Sequence, residues 1–476
     1  MQTSRKVLTL IILAFFLPIL FSYFIWFDLA ELCLYPIALL LVYLAIFQTE
    51  KLFLSLAFLT PFSINIEDFS KSFGLFIPTE PLLFGLMLIL VFFQLKTPFL
   101  DKRIFKQPII IAVIVFISWM FVTAITSSSV LVSFKFILSK LWFIVPILFF
   151  GTHFFKKEEN RNWFLRLFII ATSCTIIYTL IHHSTYDFGE KEGHWVMSPF
   201  FKDHTIYGAI IAMILPLLLA WYFSEKYAPL IQILLAAMII IVLLGLYFSY
   251  TRAAWLSIAI AIIVGLIIHF KVNFKILLFL ASAACIFIFF QWDAIQMELA
   301  RNTHEHTTEA FDERIQSAVN VTTDASNLER INRWNCAFSM FQQRPVFGYG
   351  PGTYALEYAP FQEAKNLTII STNFGDWGNA HSEYLGALAE MGLIGLLLFI
   401  VVVATIFYSS IQLYYSWPAD DKQTRIKIFG MILSLTTYFL HAFLNNFLDT
   451  DKAAVPIWAM CSIIIVLDLE RRKRMQ

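Results

Sequence analysis

The pattern of apolar and polar positions is dominated by long apolar runs, many of them close to the twenty or so residues that a helix needs to cross a bilayer. Strands of a membrane barrel would instead alternate apolar and polar residues, and these runs show no such alternation. The pattern therefore predicts an all-α polytopic membrane protein with about 12–14 transmembrane helices and one long, partly helical loop on the outer side.

About fourteen spans are predicted from these runs. The third run is short and broken by Pro61, so it and its neighbours are also compatible with a re-entrant segment, and about twelve spans remain an alternative. The predicted spans are Val7–Phe27, Leu32–Phe47, Leu52–Phe62, Leu75–Leu95, Pro108–Thr126, Val132–Phe150, Trp163–Ile181, Thr205–Phe223, Pro229–Tyr247, Trp255–Phe270, Ile276–Phe290, Tyr384–Tyr408, Ile428–Phe443 and Val455–Leu467.

One long polar region divides the chain into three parts. We predict transmembrane helices over residues 1–290, a long loop with catalytic elements over 291–383, and further transmembrane helices with a basic tail over 384–476. The loop has about ninety residues, far more than the few that usually connect helices, so we expect it to be functional.

Composition agrees with a membrane protein and narrows the function. Of 476 residues, 59% are hydrophobic and 14% charged, whereas a soluble domain carries about 25% charged residues. The formal net charge of +1 gives no bulk attraction to nucleic acid, so none is predicted as a partner. The five cysteines are scattered, and four lie inside apolar runs, which indicates no disulfide or metal framework. We predict no metal and no cofactor.

The distribution of Lys and Arg predicts the orientation, because short cytoplasmic connections are rich in these residues. Basic-rich connections alternate with basic-poor ones such as 28–31 and 127–130. The rich set is therefore predicted to be cytoplasmic, with both termini, while Arg252, the long loop and the connection 445–452 fall on the outer face. The rich set comprises Arg5, Lys6, Lys96, Lys102, Arg103, Lys106, Lys156, Lys157, Arg161, Lys271, Lys275, Lys422, Arg425, Lys427, Arg471, Arg472, Lys473 and Arg474.

A helix is predicted inside the long loop. Ser326 and Glu329 have the spacing of a capping box, in which two reciprocal hydrogen bonds start a helix. Pro345 and the Gly-Tyr-Gly-Pro-Gly turn after it are expected to end the helix. The predicted apolar face consists of residues at helical spacing: Ile331, Trp334, Phe338 and Phe341.

Three arginines are candidates for binding an anion. Arg330 and Arg333 are three residues apart on the predicted helix, so they can aim at one point, and guanidinium forks suit diphosphate oxygens. A solvated helix face is the simpler alternative. Arg252 lies between two strongly apolar runs, where an arginine is costly and usually paired or functional. An interfacial anchor is the alternative for Arg252.

His381 is the candidate for proton transfer. It lies at the end of the loop, directly before a span, and imidazole is the usual side chain for proton transfer near neutral pH. A structural histidine is the alternative. Glu383 and Glu390 follow on the same segment, and Glu390 is deep enough to need a partner; a structural ion pair or a polar cavity wall would also explain it.

Several other motifs are not predicted to carry function. The glycines 348, 350 and 352 do not have dinucleotide-loop spacing, and Pro351 interrupts them. Asp449 and Asp451 look like a metal-binding pair but are predicted to lie in a solvated connection. His304 and His306 are a weak metal candidate in an acidic, polar stretch.

Five motifs between about Ser249 and Ile400 resemble the O-antigen ligase and polymerase superfamily of bacterial envelope proteins. The order and spacing of the motifs carry the likeness, while the amino-terminal half matches only in its apolar rhythm. The motifs are Thr251-Arg252-Ala-Ala-Trp255, Arg330-x-x-x-Trp334, Pro345-Val-Phe-Gly348-Tyr-Gly350-Pro-Gly352, Ala380-His381-Ser382-Glu383-Tyr384-Leu385 and Glu390-Met-Gly392-Leu-Ile-Gly395.

The resemblance implies inverting, metal-independent transfer of a glycan from undecaprenyl diphosphate to an acceptor hydroxyl at the periplasmic face of the bacterial inner membrane. The acceptor would be lipid A-core for a ligase, or another lipid-linked repeat unit for a polymerase, with membrane lipid as a further partner. Arg252 and Arg330 match the arginines that hold the donor diphosphate, and His381 matches the proposed acceptor base. Ser382 departs from the family pattern, where Asn is usual.

Four further residues within these motifs are predicted to bind substrate. They are Arg333, Trp334, Glu383 and Tyr384.

A transporter or flippase for lipid-linked sugars is the alternative function. Such a protein needs polar residues along several spans near the midplane of the membrane. The main candidates are Lys135, Lys140 and Glu390. A structural or receptor role has less support, because the loop has no cysteine staples.

Overall fold

The computed structural model describes residues 34–66, 74–273, 325–363 and 378–474. Contacts between residues divide the chain into two compact units on either side of the Leu56–Ala57 bond. The predicted spans Val7–Phe27 and Ile276–Phe290 lie outside the described residues, as do His304 and His306.

Helices make up most of the described chain. In the first half they are α1 (Leu34–Phe47), α2 (Thr49–Leu59), α3 (Thr79–Lys96), α4 (Pro108–Ile125), α5 (Val130–Phe143), α6 (Gly151–Phe154) and α7 (Glu158–Ser184). In the second half they are α8 (His204–Ser224), α9 (Pro229–Tyr247), α10 (Arg252–His269), α11 (Ala325–Gln343), α12 (Tyr354–Glu357), α13 (Glu383–Ser416), α14 (Lys422–His441) and α15 (Asp451–Arg474).

Shorter elements complete the description. A π-helical stretch, Ile144–Phe150, joins α5 to α6, and 3₁₀ turns occur at Thr60–Phe62, Lys102–Lys106, Glu192–His194 and Ala359–Phe361. Two short strands, β1 (Ile64–Asn65) and β2 (Phe76–Ile77), pair antiparallel, with Ile64 opposite Ile77.

Within the ranges that the structure describes, nine helical stretches are long and apolar enough to cross a membrane. They are α3, α4, the continuous stretch Val130–Phe154, α7, α8, α9, α10, α13 and α15. The predicted all-α polytopic membrane fold is thereby confirmed. Helix α2 has 11 residues, so at 1.5 Å per residue it is too short to span, as Pro61 after it suggested.

Local sequence signals mark the residues at which several helices begin. The Asp203 carboxylate accepts hydrogen bonds from the backbone N–H groups of Thr205 and Ile206, which caps α8. Ser382 caps α13 in the same way through Leu385 N–H. Pro108 and Pro229 occupy the first turns of α4 and α9, where their missing N–H costs nothing.

The degree of burial separates central from peripheral helices. The most apolar windows of α8 and α15 are 78% and 83% buried, whereas those of α9 and α10 are 22% and 28% buried. Helix α8 packs against α14, with Ser434 Oγ donating to Met213 O at 2.7 Å. The exposed sides of α9 and α10 are apolar, as expected of surfaces that face lipid.

Ion pairs join the helix ends at one side of the bundle, which we call the basic face. Arg161 Nη1 lies 2.7 Å from Glu470 Oε1, and Lys427 Nζ lies 3.1 Å from Glu225 Oε1. Arg166 binds Glu225 as well, at 3.2 Å. The opposite side, called the loop face, contains the first residues of α8, α10, α13 and α15 and the last residues of α4, α7, α9 and α14.

The interpretation of Asp449 and Asp451 as members of a solvated connection is wrong. Asp451 is 0% exposed and lies beside Lys452, which is 1% exposed and donates to Ser63 O at 2.8 Å. The Asp449 carboxylate forms an ion pair with Lys140 of α5. Both carboxylates hold α15 and the connection before it to other parts of the bundle.

Helix α11 is present, but the predicted apolar face is not the face that packs inward. Phe338 is 49% exposed, and the other three predicted residues are only half-buried. The side chains of this helix that pack inward are Glu329, Asn332, Arg333, Cys336, Ala337 and Met340. Small residues allow α11 to approach Tyr354 and Tyr358 closely.

Candidate active site

His381 lies on the loop face, two residues before α13. Its backbone N–H donates to Asn379 Oδ1 at 3.0 Å, and its backbone carbonyl oxygen accepts from the Trp334 indole at 3.4 Å. The backbone of His381 has φ 46°, a left-handed conformation that non-glycine residues adopt at some cost and often at functional sites. The backbone of His381 is therefore held on both sides.

Arg330 of α11 acts on the His381 ring. Burial, followed by the positive charges of Arg330 and Arg333, lowers the pKa of His381 from 6.5 to about 4. The imidazole is therefore neutral near pH 7 and can accept a proton. Arg330 itself is half-buried.

Arg252 begins α10 on the same face. Tyr250, two residues earlier, has φ 51°, and Thr251 Oγ1 donates to His204 O at 2.7 Å at the start of α8. Gly208 leaves the space that Thr251 occupies, since a Cβ there would overlap its side chain. Asp203, next to His204, is one of the charges that act on His381.

Arg333 has several contacts inside the protein. Its guanidinium donates to Glu329 Oε1 at 2.6 Å and lies 3.9 Å from the centre of the Tyr358 ring, and the residue is 3% exposed. Its carbonyl oxygen accepts from Tyr354 Oη at 2.7 Å. These contacts favour a structural role, in which Arg333 acts on His381 only by its charge.

Tyr384 and Glu383 likewise have partners within the protein. Tyr384 stacks on Phe443 with ring centres 4.1 Å apart, and its hydroxyl donates to a backbone carbonyl. Glu383 Oε1 accepts from Leu448 N–H at 2.7 Å and from Tyr438 Oη at 3.2 Å. Both side chains hold α13 to α14 and to the connection after it.

Glu390 joins two of the sequence motifs. Its carboxylate accepts from Gly352 N–H at 2.9 Å and from Tyr354 N–H at 3.1 Å. Backbone bonds extend the contact, with Gly350 N–H donating to Glu390 O at 2.8 Å and Leu393 N–H to Pro345 O at 2.9 Å. The turn and the first part of α13 therefore form one hydrogen-bonded unit, which we call the glycine lock.

Glycine is required in this lock by backbone conformation. Gly348, Gly350, Gly352 and Gly392 all have positive φ, and Gly392 interrupts the helical geometry of α13. A Cβ at Gly392 would overlap the carbonyl oxygen of Val346. Gly348 and Gly392 thus pack backbone against backbone, whereas Gly350 and Gly352 pack against the side chains of Ser127 and Phe136.

A cavity of about 210 Å³ lies beside the glycine lock. Its apolar walls come from α4, α5 and α13, and Lys140 of the ion pair with Asp449 lines its polar part with Glu383 and Glu390. Asn379, Ala380 and Ser382, which are neighbours of His381 in the chain, line this cavity. It is thus adjacent to the candidate site.

Sequence reasoning missed two residues near His381. Asp203 and His441 are buried or half-buried on the loop face, and the charges acting on the His441 ring are Arg330 and Asp203. Asp203 carried a signal, an Asp directly before an apolar run, which is typical of a helix cap. His441 carried none, because it ends an ordinary apolar run.

These features define an integral membrane protein with a half-buried imidazole and arginine at one end of its helix bundle. A protein-family model described as O-Antigen ligase matches residues 236–400. The match confirms the resemblance to the O-antigen ligase superfamily, and it includes Arg252, Arg330, His381 and Glu390. It supports a bacterial membrane protein with a glycan-transferring role, as ligase or polymerase. No curated protein matches the chain.

Proposed function

We propose that this protein transfers a glycan from undecaprenyl diphosphate to an acceptor hydroxyl at the periplasmic face of the inner membrane, with inversion and without a metal. The acceptor is lipid A-core for a ligase or a lipid-linked repeat unit for a polymerase. Both termini are cytoplasmic in this proposal, so the loop face is periplasmic.

The placement of His381 carries the proposal: Trp334 of α11 holds its backbone at the loop face, and Arg330 lies one turn earlier on the same helix. A side chain with a pKa of about 4 is unprotonated at neutral pH and is available to take the proton of an acceptor hydroxyl. The hydroxyl oxygen becomes more nucleophilic as its proton leaves, and attacks the anomeric carbon of the donor from the face opposite the leaving diphosphate.

Arg252 and Arg330 have the charge that the leaving group requires. As the glycosidic bond breaks, negative charge accumulates on the diphosphate, and fixed guanidinium groups stabilise this state more than the ground state. Arg330 is held on α11, whose Trp334 contacts His381, and Arg252 is held at the first turn of α10. Positively charged groups and a base thus occur on one face.

The lipid part of the donor favours a site at the end of a peripheral helix. Helix α10 is only 28% buried in its most apolar window, and Trp255, one turn after Arg252, is 39% exposed. A polyprenyl chain can lie along this apolar side while its diphosphate meets Arg252 at the membrane boundary.

The test is glycan transfer by three single variants. Arg252→Ala, Arg330→Ala and His381→Ala should each abolish transfer while the protein still inserts in the membrane. Arg344→Ala is the matched control, because Arg344 follows the same helix, is exposed, and lies over the Tyr349 ring. Full transfer by all three variants would end the proposal.

The glycans of a deletion strain separate the two subclasses. Unligated lipid-linked chains would identify a ligase, and single repeat units on the acceptor would identify a polymerase.

The transporter alternative is less well supported by the polar residues of the spans. Lys140 is paired with Asp449, and Glu390 accepts two backbone hydrogen bonds in the glycine lock. Lys135 is exposed on α5. Passage of a glycan across the membrane without bond formation would favour a transporter.

A further inference from the structure

Asp203 lies at the start of α8, where the helix cap fixes its carboxylate. Asp203 Oδ1 accepts from Thr205 N–H at 2.8 Å and from Ile206 N–H at 3.1 Å, and the Thr205 hydroxyl donates to the same oxygen. These donors are neutral, so the bonds orient the carboxylate without offsetting its negative charge. The cap therefore holds an anion in a fixed place on the loop face.

Helix packing brings Asp203 beside the end of α14. Helices α8 and α14 pack side by side in opposite directions, and Ser434 Oγ donates to Met213 O at 2.7 Å. At 1.5 Å per residue, Asp203 lies about 15 Å and His441 about 10 Å from that contact, both toward the loop face. The cap of α8 and the end of α14 are thus at similar depth on neighbouring helices.

The end of α14 is bonded in turn to the segment that contains His381. Glu383 N–H donates to Ala442 O at 2.9 Å, which joins the residue after α14 to the first residue of α13. The start of α8, the end of α14 and the start of α13 therefore meet at one place on the loop face. In agreement with this packing, the charge of Asp203 acts on the ring of His381.

Charges of opposite sign surround the His381 ring. Burial lowers its pKa most, Arg330 and Arg333 lower the pKa further, and Glu329 and Asp203 raise it. Glu329 Oε1 lies 2.6 Å from Arg333 Nε, so the charges of these two residues largely offset each other at the ring. Arg330 and Asp203 are the two that remain opposed.

The proposed reaction benefits from both of these charges. Arg330 stabilises the leaving diphosphate but repels the proton that His381 has to accept. As the acceptor O–H bond breaks, the proton binds to the imidazole, which becomes positive. The electron pair stays on the oxygen and forms the bond to the anomeric carbon while the diphosphate leaves with the electrons of the old bond. A fixed anion near the ring stabilises the positive charge as it develops.

We propose that Asp203 is a positioning residue for the candidate base: its carboxylate stabilises the protonated form of His381 and offsets the cost that Arg330 imposes on proton transfer. Asp203 acts through His381 rather than by contact with a substrate. This inference rests on the proposed glycan transfer, and one arm of its test is independent of transfer.

The first arm measures the ring itself in the full-length protein in detergent. Asp203→Asn removes the charge and keeps the cap, because asparagine caps helices about as well as aspartate. NMR of the imidazole follows the protonation midpoint of His381, whose signal is identified by its loss in His381→Ala. Arg330→Gln should move the midpoint to higher pH, and Asp203→Asn added to Arg330→Gln should move it back toward lower pH. The partial positive charge at the N-terminus of α8, no longer covered by the carboxylate, acts in the same direction.

Asp421→Asn is the matched control. Asp421 caps α14 at the basic face through Thr424 N–H at 3.1 Å, so its replacement perturbs a cap of the same kind far from His381. Added to Arg330→Gln, it should leave the midpoint of His381 in place.

The second arm measures transfer. The donor is the lipid-linked glycan extracted from a deletion strain, and the acceptor is the acceptor lipid of the same strain. In Asp203→Asn, kcat should fall about 3–10-fold, because proton transfer follows the basicity of the catalytic group. Both KM values should stay unchanged, and Asp421→Asn should keep full kcat.

Three results would overturn the inference. A midpoint that Asp203→Asn does not move in the Arg330→Gln protein would show that Asp203 only caps α8. An unchanged kcat in Asp203→Asn would show that its charge has no part in transfer. A rise in either KM would make Asp203 a substrate contact. If the unaltered protein transferred no glycan, the proposed function would fall, and a shifted midpoint would then support only the charge relation between Asp203 and His381.

Discussion

The indole Nε1 of Trp334 donates a hydrogen bond to the carbonyl oxygen of His381 at 3.4 Å. A helix in the long loop thus holds the backbone of the candidate base, although the two residues are 47 positions apart. Arg330 is one turn earlier on the same helix. The position of α11 therefore determines both the orientation of His381 and the charge beside it.

Replacement of Trp334 by Phe tests this contact. The variant keeps an aromatic ring but has no donor, and one hydrogen bond contributes about 0.5–1.5 kcal/mol, so we expect kcat to fall about 2–10-fold. The amount of protein in the membrane should not change. Trp195→Phe, in an exposed part of the loop before α8, is the control and should keep full kcat. An unchanged kcat in Trp334→Phe would show that the bond does not orient the base.

The pH dependence of transfer tests the state of His381. The pKa of His381 is lowered to about 4, so the imidazole becomes protonated, and stops acting as a base, only near that pH. The acid limb of kcat/KM should therefore lie near pH 4 rather than near pH 6.5. Removal of the positive charge in Arg330→Gln makes protonation easier, so the midpoint of His381 protonation, followed by NMR of the imidazole rather than by transfer, should move to higher pH. Arg344→Gln should leave it in place. An acid limb near 6.5 in the unaltered protein would contradict the burial of this ring.

Substitution of Gly392 tests the glycine lock. Gly392→Ala places a side chain at φ 67° and against Val346, so it should lower stability by about 1–3 kcal/mol from backbone strain alone. Gly85→Ala is the matched control: Gly85 lies within α3 with open space around it, and alanine there should be neutral or stabilise by about 0.5–1 kcal/mol. Thermal unfolding in detergent measures the stability of both variants. Equal melting midpoints would show that the turn and α13 are not coupled.

The ion pair between Lys140 and Asp449 is tested by a double-mutant cycle. Either single variant, Lys140→Met or Asp449→Asn, leaves an unpaired charge at the polar part of the cavity. Because the Asp449 side chain is 35% exposed, water screens part of the effect, and we expect a loss of about 1–3 kcal/mol. The double variant should recover part of this loss, because no uncompensated charge remains. Detergent melting curves give the coupling energy. Additive losses would mean that the two side chains act independently.

Resemblance in sequence did not separate the roles of neighbouring motif residues. Arg330 and Arg333 are three residues apart on one helix, yet Arg330 is half-buried beside His381 whereas Arg333 is paired with Glu329 and covered by Tyr358. Glu383 and Tyr384, which are predicted to bind substrate, have partners from α14 and the connection after it. The roles of all seven predicted site residues in transfer stay predictions.

The sequence by itself determined the helical membrane architecture. A long apolar run inside a bilayer must pair its own backbone N–H and C=O groups, which it does as a helix, and the predicted span Pro229–Tyr247 coincides with the observed helix. The tertiary structure alone decided which side chains face the site. Periodicity marks an apolar face but does not say whether lipid or protein covers it. In the structure, α11 packs inward through Cys336 and Ala337 rather than Phe338. The burial of His441 likewise becomes visible only when α14 meets α13, since burial is set by elements distant along the chain.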